Sequence, residues 1–355
     1  MSERAFDPSR AAADLAEFAQ RAAAMQQALL ASSESGDGAS ARDAVWKQDK
    51  VTLYRYRAIA RPAGLPPVLV VFALVNRPYI LDLAPDRSLI RGLLDAGLDV
   101  YLIDWGRPDG GDRFLALEDY VERYLDGAVQ EILATQGIGA LNLLGVCQGG
   151  TFSLCYTALH APQVRNLIAM VTPVDFRTPE DLLSRWVAGI DIDLMAANGN
   201  IPGQLLNNAY LALRPFRLMQ QKYVDLVRSG ASAAKLAEFV RMERWIFDSP
   251  DMPAELFRQF VKGFYQENRL VAGTLEIGGR QVSLRDIGQP VLNIYATQDH
   301  IVPPSASVPL AQYLGTRDYT AMPVDTGHIG MYVSAQARDT VPPAIAAWLA
   351  ARPAD

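Results

Sequence analysis

Six short runs along the chain are apolar at nearly every position: PVLVVFAL (67–74), VYLIDW (100–105), LNLLGV (141–146), VRNLIAMV (164–171), PVLNIYAT (290–297) and YTAMPV (319–324). A strand with one wet face alternates apolar and polar residues, whereas a strand covered on both faces reads as a continuous apolar run. Segments with helical periodicity, such as RSLIRGLLDAG (87–97) and LEDYVERYLDGAVQEILATQ (117–136), lie between the runs. This alternation predicts an α/β fold with a mostly parallel central sheet flanked by helices. The rhythm fails between 176 and 283, a stretch of helical patterns carrying Trp186, Tyr210, Phe216, Tyr223, Trp245, Phe247, Phe260 and Phe264. That stretch reads as a mainly helical cap inserted between two strands. The resulting division is an N-terminal helix and linker (1–44), a first core part (45–175), the cap (176–283) and a second core part (284–355).

Residues 7–31 read as a helix, with Asp7 as cap, Pro8 in the first turn and Leu15, Phe18, Ala22, Met25 and Leu29 forming a narrow seam. SSESGDGAS (32–40) reads as a flexible linker. Two readings of the seam stand: it packs on its own domain, or it docks on another chain.

Composition narrows the function. With 355 residues, half of them hydrophobic, the chain can bury a large core. A net charge of -6 and a pI near 5.2 offer no basic footprint for nucleic acid. The apolar stretch PPVLVVFALV (66–75) is far shorter than the roughly 20 residues a membrane-spanning helix needs, and no secretory leader pattern is seen. Cys147 and Cys155, eight apart on one strand–turn–helix unit, are poorly placed for a disulfide, which suits a reduced cytoplasmic setting. The three histidines and two cysteines have no metal-ligand spacing, so no metal is expected.

The chemistry concentrates at NLLGVCQGG (142–150). A strand ending at Val146 and a helix starting near Gln148 would force Cys147 into a sharp corner, its side chain exposed above the sheet. Gly145, Gly149 and Gly150 leave room for that turn. The Gln148 backbone N–H would then be one oxyanion donor, and a helix N-terminus favours a thiolate. The bland alternative makes Cys147 a small buried hydrophobe, the role expected of Cys155. A second donor would come from the loop VNRPY (75–79), through Val75 or Asn76, unless that loop is an ordinary turn.

Of the histidines, His160 lies on the same helix as Cys147 at roughly 20 Å and cannot reach it. His328, in the Gly-bracketed VDTGHIGMY, follows one apolar run, and Asp299 follows another in YATQDHIVPP. The order Cys147…Asp299…His328 is that of nucleophile, acid and base in α/β-hydrolases, each just past a strand end. His300 and Asn76 suit supporting roles beside the site; His300 as the base and Asp299 as a mere turn cap are the competing readings.

A cysteine takes an acyl group from one thioester to another at almost no cost in free energy, so the group stays activated for transfer. Taken together, LVNRPYILDL, DVYLIDWGRPD, GVCQGG, VTPVDF, RMERWIFDSPD, YATQDHIVPP and GHIGMYVS resemble the catalytic subunits of polyhydroxyalkanoate synthases, with a short chain like the class III, two-subunit type. The resemblance runs from about residue 45 to 350. It implies an α/β-hydrolase fold, Cys147 as nucleophile, Asp299 as acid, His328 as base, and polymerisation of (3R)-hydroxyacyl-CoA with release of CoA. The resemblance favours short acyl units such as 3-hydroxybutyryl. It further implies no cofactor beyond the CoA thioester substrate, a homodimer, a second non-catalytic subunit and residence in the cytoplasm on a polymer granule. The rival readings are a thioesterase or dienelactone-hydrolase-like enzyme with the same triad, an inactive granule-binding protein, and the other two-subunit synthase type.

Overall fold

The computed structural model describes residues 38–228 and 233–352, together with a few positions between 13 and 27. The seam of the 7–31 helix lies outside the described residues. Eight strands form the central sheet: β1 (Arg42–Gln48), β2 (Val51–Tyr56), β3 (Val68–Val71), β4 (Val100–Asp104), β5 (Leu141–Val146), β6 (Val164–Met170), β7 (Val291–Ala296) and β8 (Tyr319–Val324). Their spatial order is β1-β2-β4-β3-β5-β6-β7-β8. The β1–β2 and β2–β4 pairs are antiparallel and the rest are parallel.

The six apolar runs become the six parallel strands, and two-sided burial is the cause. Along β3, Leu69 and Val71 enter the core on one face of the sheet, Val68 and Val70 the core on the other, all fully buried. In β5 the division is Leu141 and Leu143 against Leu144 and Val146. Burying each such side chain contributes about 1.5–3 kcal/mol. β8 is the exception: as the sheet's outer strand it is only partly buried, although its sequence is as apolar as the others.

The β1–β2 hairpin is an element that the apolar runs do not announce. β1 is exposed on both faces and β2 alternates, so neither carries a continuous run. β1 begins at Arg42, so the division at 44/45 falls inside a strand of the core. The end of the expected linker is not flexible either. Ala39 N–H donates to the Asp82 carbonyl (2.8 Å), while Ser40 N–H and Oγ–H donate to the Asp82 carboxylate at 2.7 and 2.9 Å. Ser88 adds a third donor at 2.6 Å to that fully buried carboxylate. A buried charge this well supplied with donors is a strong local anchor.

The predicted helix at 87–97 condenses to α1 (Leu89–Asp95), whose first turn is capped by the Ser88 hydroxyl accepting from Arg91 N–H at 2.8 Å. The one at 117–136 divides into a π-helical turn (Asp119–Leu125) and α2 (Asp126–Gln136), which ends on Gly137 at φ 65°. After α3 (Gln148–Leu159) and β6 comes the inserted segment, with α4 (Gly203–Ala212), α5 (Ala233–Phe247) and α6 (Ala254–Phe260) among its helices. It is not wholly helical, because Leu275–Ile277 and Arg280–Val282 pair as a small antiparallel hairpin. Nor do all its aromatics roof the core. Phe260 packs edge-on against Phe152 of α3 (5.8 Å) and stacks on Phe264 (4.5 Å), inside the main core. The last helix is α7 (Ala335–Ala350).

Asp82→Ala would leave Ser40 and Ser88 donors buried without their acceptor. Urea unfolding should show a loss of about 2–3 kcal/mol, with the chemistry at the far end of β3 unaffected.

Candidate active site

β5 stops at Val146 and α3 starts at Gln148, leaving Cys147 alone to make the corner at φ 54°, ψ −125°. A non-glycine residue held there costs of order 1–3 kcal/mol, which the surrounding packing must enforce. The Cys147 N–H donates to the Met170 carbonyl of β6 (2.9 Å), and its own carbonyl accepts from Gly150 N–H (2.9 Å). The neighbouring glycines are steric requirements. A methyl on Gly149 would lie 2.1 Å from the Val71 carbonyl oxygen, on Gly150 1.9 Å from Thr172 Oγ1, and on Gly145 2.4 Å from the Gly150 Cα. The side chain is raised above the sheet because the backbone beneath it has no room.

Asp299 and His328 come from the turns after β7 and β8, neighbouring parallel strands, so the two side chains emerge together. His328 Nδ1 and Asp299 Oδ2 are 2.7 Å apart, with both groups buried. The other carboxylate oxygen, Oδ1, accepts from Ile301 N–H (2.8 Å) and Val302 N–H (2.9 Å). Asp299 therefore has both oxygens committed and cannot turn. The Cys147 sulfur lines the same cavity as the ring and lies within its electrostatic reach. Burial works against a charged ring, but the Asp299 carboxylate, the Cys147 sulfur and the hydrogen bonds to both outweigh it, pushing the His328 pKa up to about 10. Such an environment favours the charged imidazolium.

The oxyanion candidates separate. The Asn76 N–H is turned away, donating to Ser249 Oγ at 3.4 Å, and its side-chain amide donates to the carbonyls of Trp245 (3.2 Å) and Ile246 (2.9 Å) at the end of α5. Asn76 thus fastens the inserted segment to the core. Trp245 returns the contact through Nε1–H to the Arg77 carbonyl (2.7 Å). The Gln148 side chain accepts from Leu74 N–H (3.1 Å), which pins the loop that carries Val75. Val75, Gln148 and Cys147 all line one cavity of about 120 Å³. His300 lines it too, whereas His160 bonds Glu122 at 2.9 Å and stacks on Tyr156, away from the site. Cys155 is fully buried, and burial pushes its thiol far above the ordinary range.

The cavity's floor is Phe72, Ala73 and Cys147; Tyr210 and Leu211 of α4 and Trp245 and Ile246 of α5 roof it. A residue at the site that the strand–loop pattern does not reveal is Tyr332, four positions past His328, whose hydroxyl lies 3.0 Å from Nε2. The signal for it was the i, i+4 spacing in GHIGMY. Among the described residues, no group of three or more His, Cys, Asp or Glu side chains converges as metal ligands.

The sequence model of the alpha/beta hydrolase fold matches residues 66–335. The poly(3-hydroxyalkanoate) polymerase subunit PhaC of Allochromatium vinosum is 49% identical over 348 residues, 96% of this chain and 97% of that protein. The chain belongs to the poly(3-hydroxyalkanoate) polymerase family. It is an acyltransferase of that family on an α/β-hydrolase fold. The subunit of the same name from Synechocystis is 50% identical, covering 89% of this chain and 85% of its own. Among solved structures, Rv0554 from Mycobacterium tuberculosis matches with a TM-score of 0.55 at 16% identity, over 86% of this chain and 94% of that one. Epoxide hydrolase A from Mycobacterium thermoresistibile gives 0.51 at 16%, covering 88% and 98%. These two likenesses concern the fold alone.

Gly149→Ala should destabilise the protein by roughly 1–3 kcal/mol or more, read from thermal unfolding and soluble yield. Gly139→Ala, with nothing within 4 Å of the added methyl, should be near neutral.

Proposed function

We propose that the chain polymerises (3R)-hydroxyacyl units, of the short 3-hydroxybutyryl kind, from their CoA thioesters through a covalent acyl–Cys147 intermediate. The observation that carries this reading is the cysteine itself: a thiol that shares one largely apolar cavity with the buried His328–Asp299 pair.

The first half-reaction is attack by the Cys147 sulfur on the thioester carbonyl, with CoA leaving as the thiol after taking the proton from His328. The developing oxyanion meets the backbone N–H groups of Gln148 and Val75, fixed donors at a helix N-terminus and a pinned loop. In the second half-reaction the 3-hydroxyl of one acyl unit attacks another unit's thioester. A thioester keeps the acyl group as reactive as it arrived, so the alcohol can accept it without fresh activation. Water is the competitor, and the roof over the cavity works against it. Because both Asp299 oxygens are already engaged, Asp299 orients His328 and stabilises its charge instead of acting on the hydroxyl directly.

The same reading assigns no cofactor beyond the CoA thioester substrate. It places the chain in a homodimer and, by the class III character of the resemblance, with a second non-catalytic subunit on a cytoplasmic polymer granule. Among the described residues, no helix is long and apolar enough to cross a membrane.

Supplied with (3R)-hydroxybutyryl-CoA, the wild type should release CoA and deposit insoluble polyester; soluble 3-hydroxybutyrate as the main product would make it a thioesterase. Cys147→Ala should abolish CoA release, whereas Cys155→Ala should retain it at a stability cost of about 1 kcal/mol. His328→Ala should lower turnover by roughly 10²–10⁴-fold, with His300→Ala far milder; the reverse order would move the base to His300.

A further inference from the structure

The Tyr332 hydroxyl lies in an unusual place for a buried phenol. It is 3.0 Å from His328 Nε2, the nitrogen that must serve as the base, and the residue is only 2% exposed while lining the cavity. Its ring stands edge-on to the imidazole (5.7 Å, 84°) and edge-on to Phe72 (6.0 Å, 72°), so the hydroxyl has little freedom to swing away. Burial, then the charges of Cys147 and Asp299, hold the phenol well above its ordinary range. It keeps its proton throughout the neutral range.

The two half-reactions make different demands on this group. Acylation starts from a thiol that lines the cavity beside His328, so no proton need be drawn from the substrate. Once CoA has left with the imidazole's proton, Cys147 is a thioester without a proton to share. Nε2 then has a bare lone pair, and Tyr332 is the hydroxyl beside it. An acceptor alcohol entering the cavity meets the phenol oxygen, which lies within hydrogen-bond distance of Nε2.

Resting on the proposed polymerase reading, we propose that Tyr332 relays the proton of the acceptor hydroxyl to His328 during chain elongation. The alcohol oxygen forms its bond to the acyl carbon as its proton passes to the Tyr332 oxygen; the phenol proton passes to Nε2. The C–S bond then breaks, and the Cys147 thiolate departs beside the new imidazolium, which restores the starting pair. No oxidant, reductant or further reactant is needed.

Tyr332→Phe removes one oxygen and keeps the ring packing. Acylation is read by mass spectrometry with butyryl-CoA, which has no 3-hydroxyl and cannot elongate. Elongation is read as steady-state CoA release from (3R)-hydroxybutyryl-CoA. The relay predicts a loss of roughly 100-fold in elongation with acylation slowed only a few-fold. Equal losses in both would reduce Tyr332 to a positioning residue for the imidazole, and no loss in elongation would dismiss it; either overturns the relay. Rates in H2O/D2O mixtures test the wild type without any variant: two protons in flight give a bowed dependence of elongation on deuterium fraction, and a straight line overturns the relay. A wild type that forms no acyl–Cys147 with either thioester would instead bring down the polymerase reading itself.

Discussion

The corner at Cys147 constrains the rest of the active end of the molecule. A side chain at φ 54°, ψ −125° survives only where the chain on either side is held harder than the corner is strained. β5, pinned between β3 and β6, holds one side, and α3, lying almost directly on the β3 backbone at Gly149, holds the other. The same corner that lifts the sulfur above the sheet brings Gln148, the first residue of α3, to the cavity wall. The position of the sulfur and the start of α3 are thus two results of one backbone conformation, and they cannot be adjusted independently.

Around that corner the charges are arranged so that few groups can move. Asp299 is fixed by two backbone amides and the imidazole, and the imidazole is fixed by Asp299, Cys147 and Tyr332. Charge-assisted bonds in a dry setting are stronger than the same bonds in water. Here they keep an imidazolium stable despite burial. The roof contributes the dryness, and Asn76 and Trp245 tie it to the loop after β3 through four hydrogen bonds, including that from Asn76 N–H to Ser249. The loop expected to supply an oxyanion donor and a supporting Asn76 therefore also sets where the inserted segment sits.

Much of this was legible in the sequence, and the reasons differ from part to part. The parallel strands could be read because two-sided burial writes an uninterrupted apolar run, accurate to within one residue at β4, β5 and β7. The β1–β2 hairpin escaped because an exposed strand leaves no such trace. The residues at 38–40 look like linker, being small and polar, yet their amides and hydroxyl satisfy a buried carboxylate that only folding brings to them. Likewise Phe260 and Phe264 belong to a helical insertion by sequence and to the main core by packing.

For the site, residue types and chain order sufficed to nominate Cys147, Asp299 and His328, because each follows a strand and parallel strands bring their ends to one edge. Chain order says nothing about where an individual amide points, so Val75 and Asn76 could not be told apart until the loop's hydrogen bonds were known. Nor could it place the Tyr332 hydroxyl at Nε2, since a turn of helix after His328 can face either way. The sequence by itself determined the six parallel strands and the corner and nominated the reactive groups, all of which follow from local pattern. The tertiary structure decided which donors and hydroxyls face the reacting atoms, because orientation at that scale is set by contacts between segments far apart in the chain.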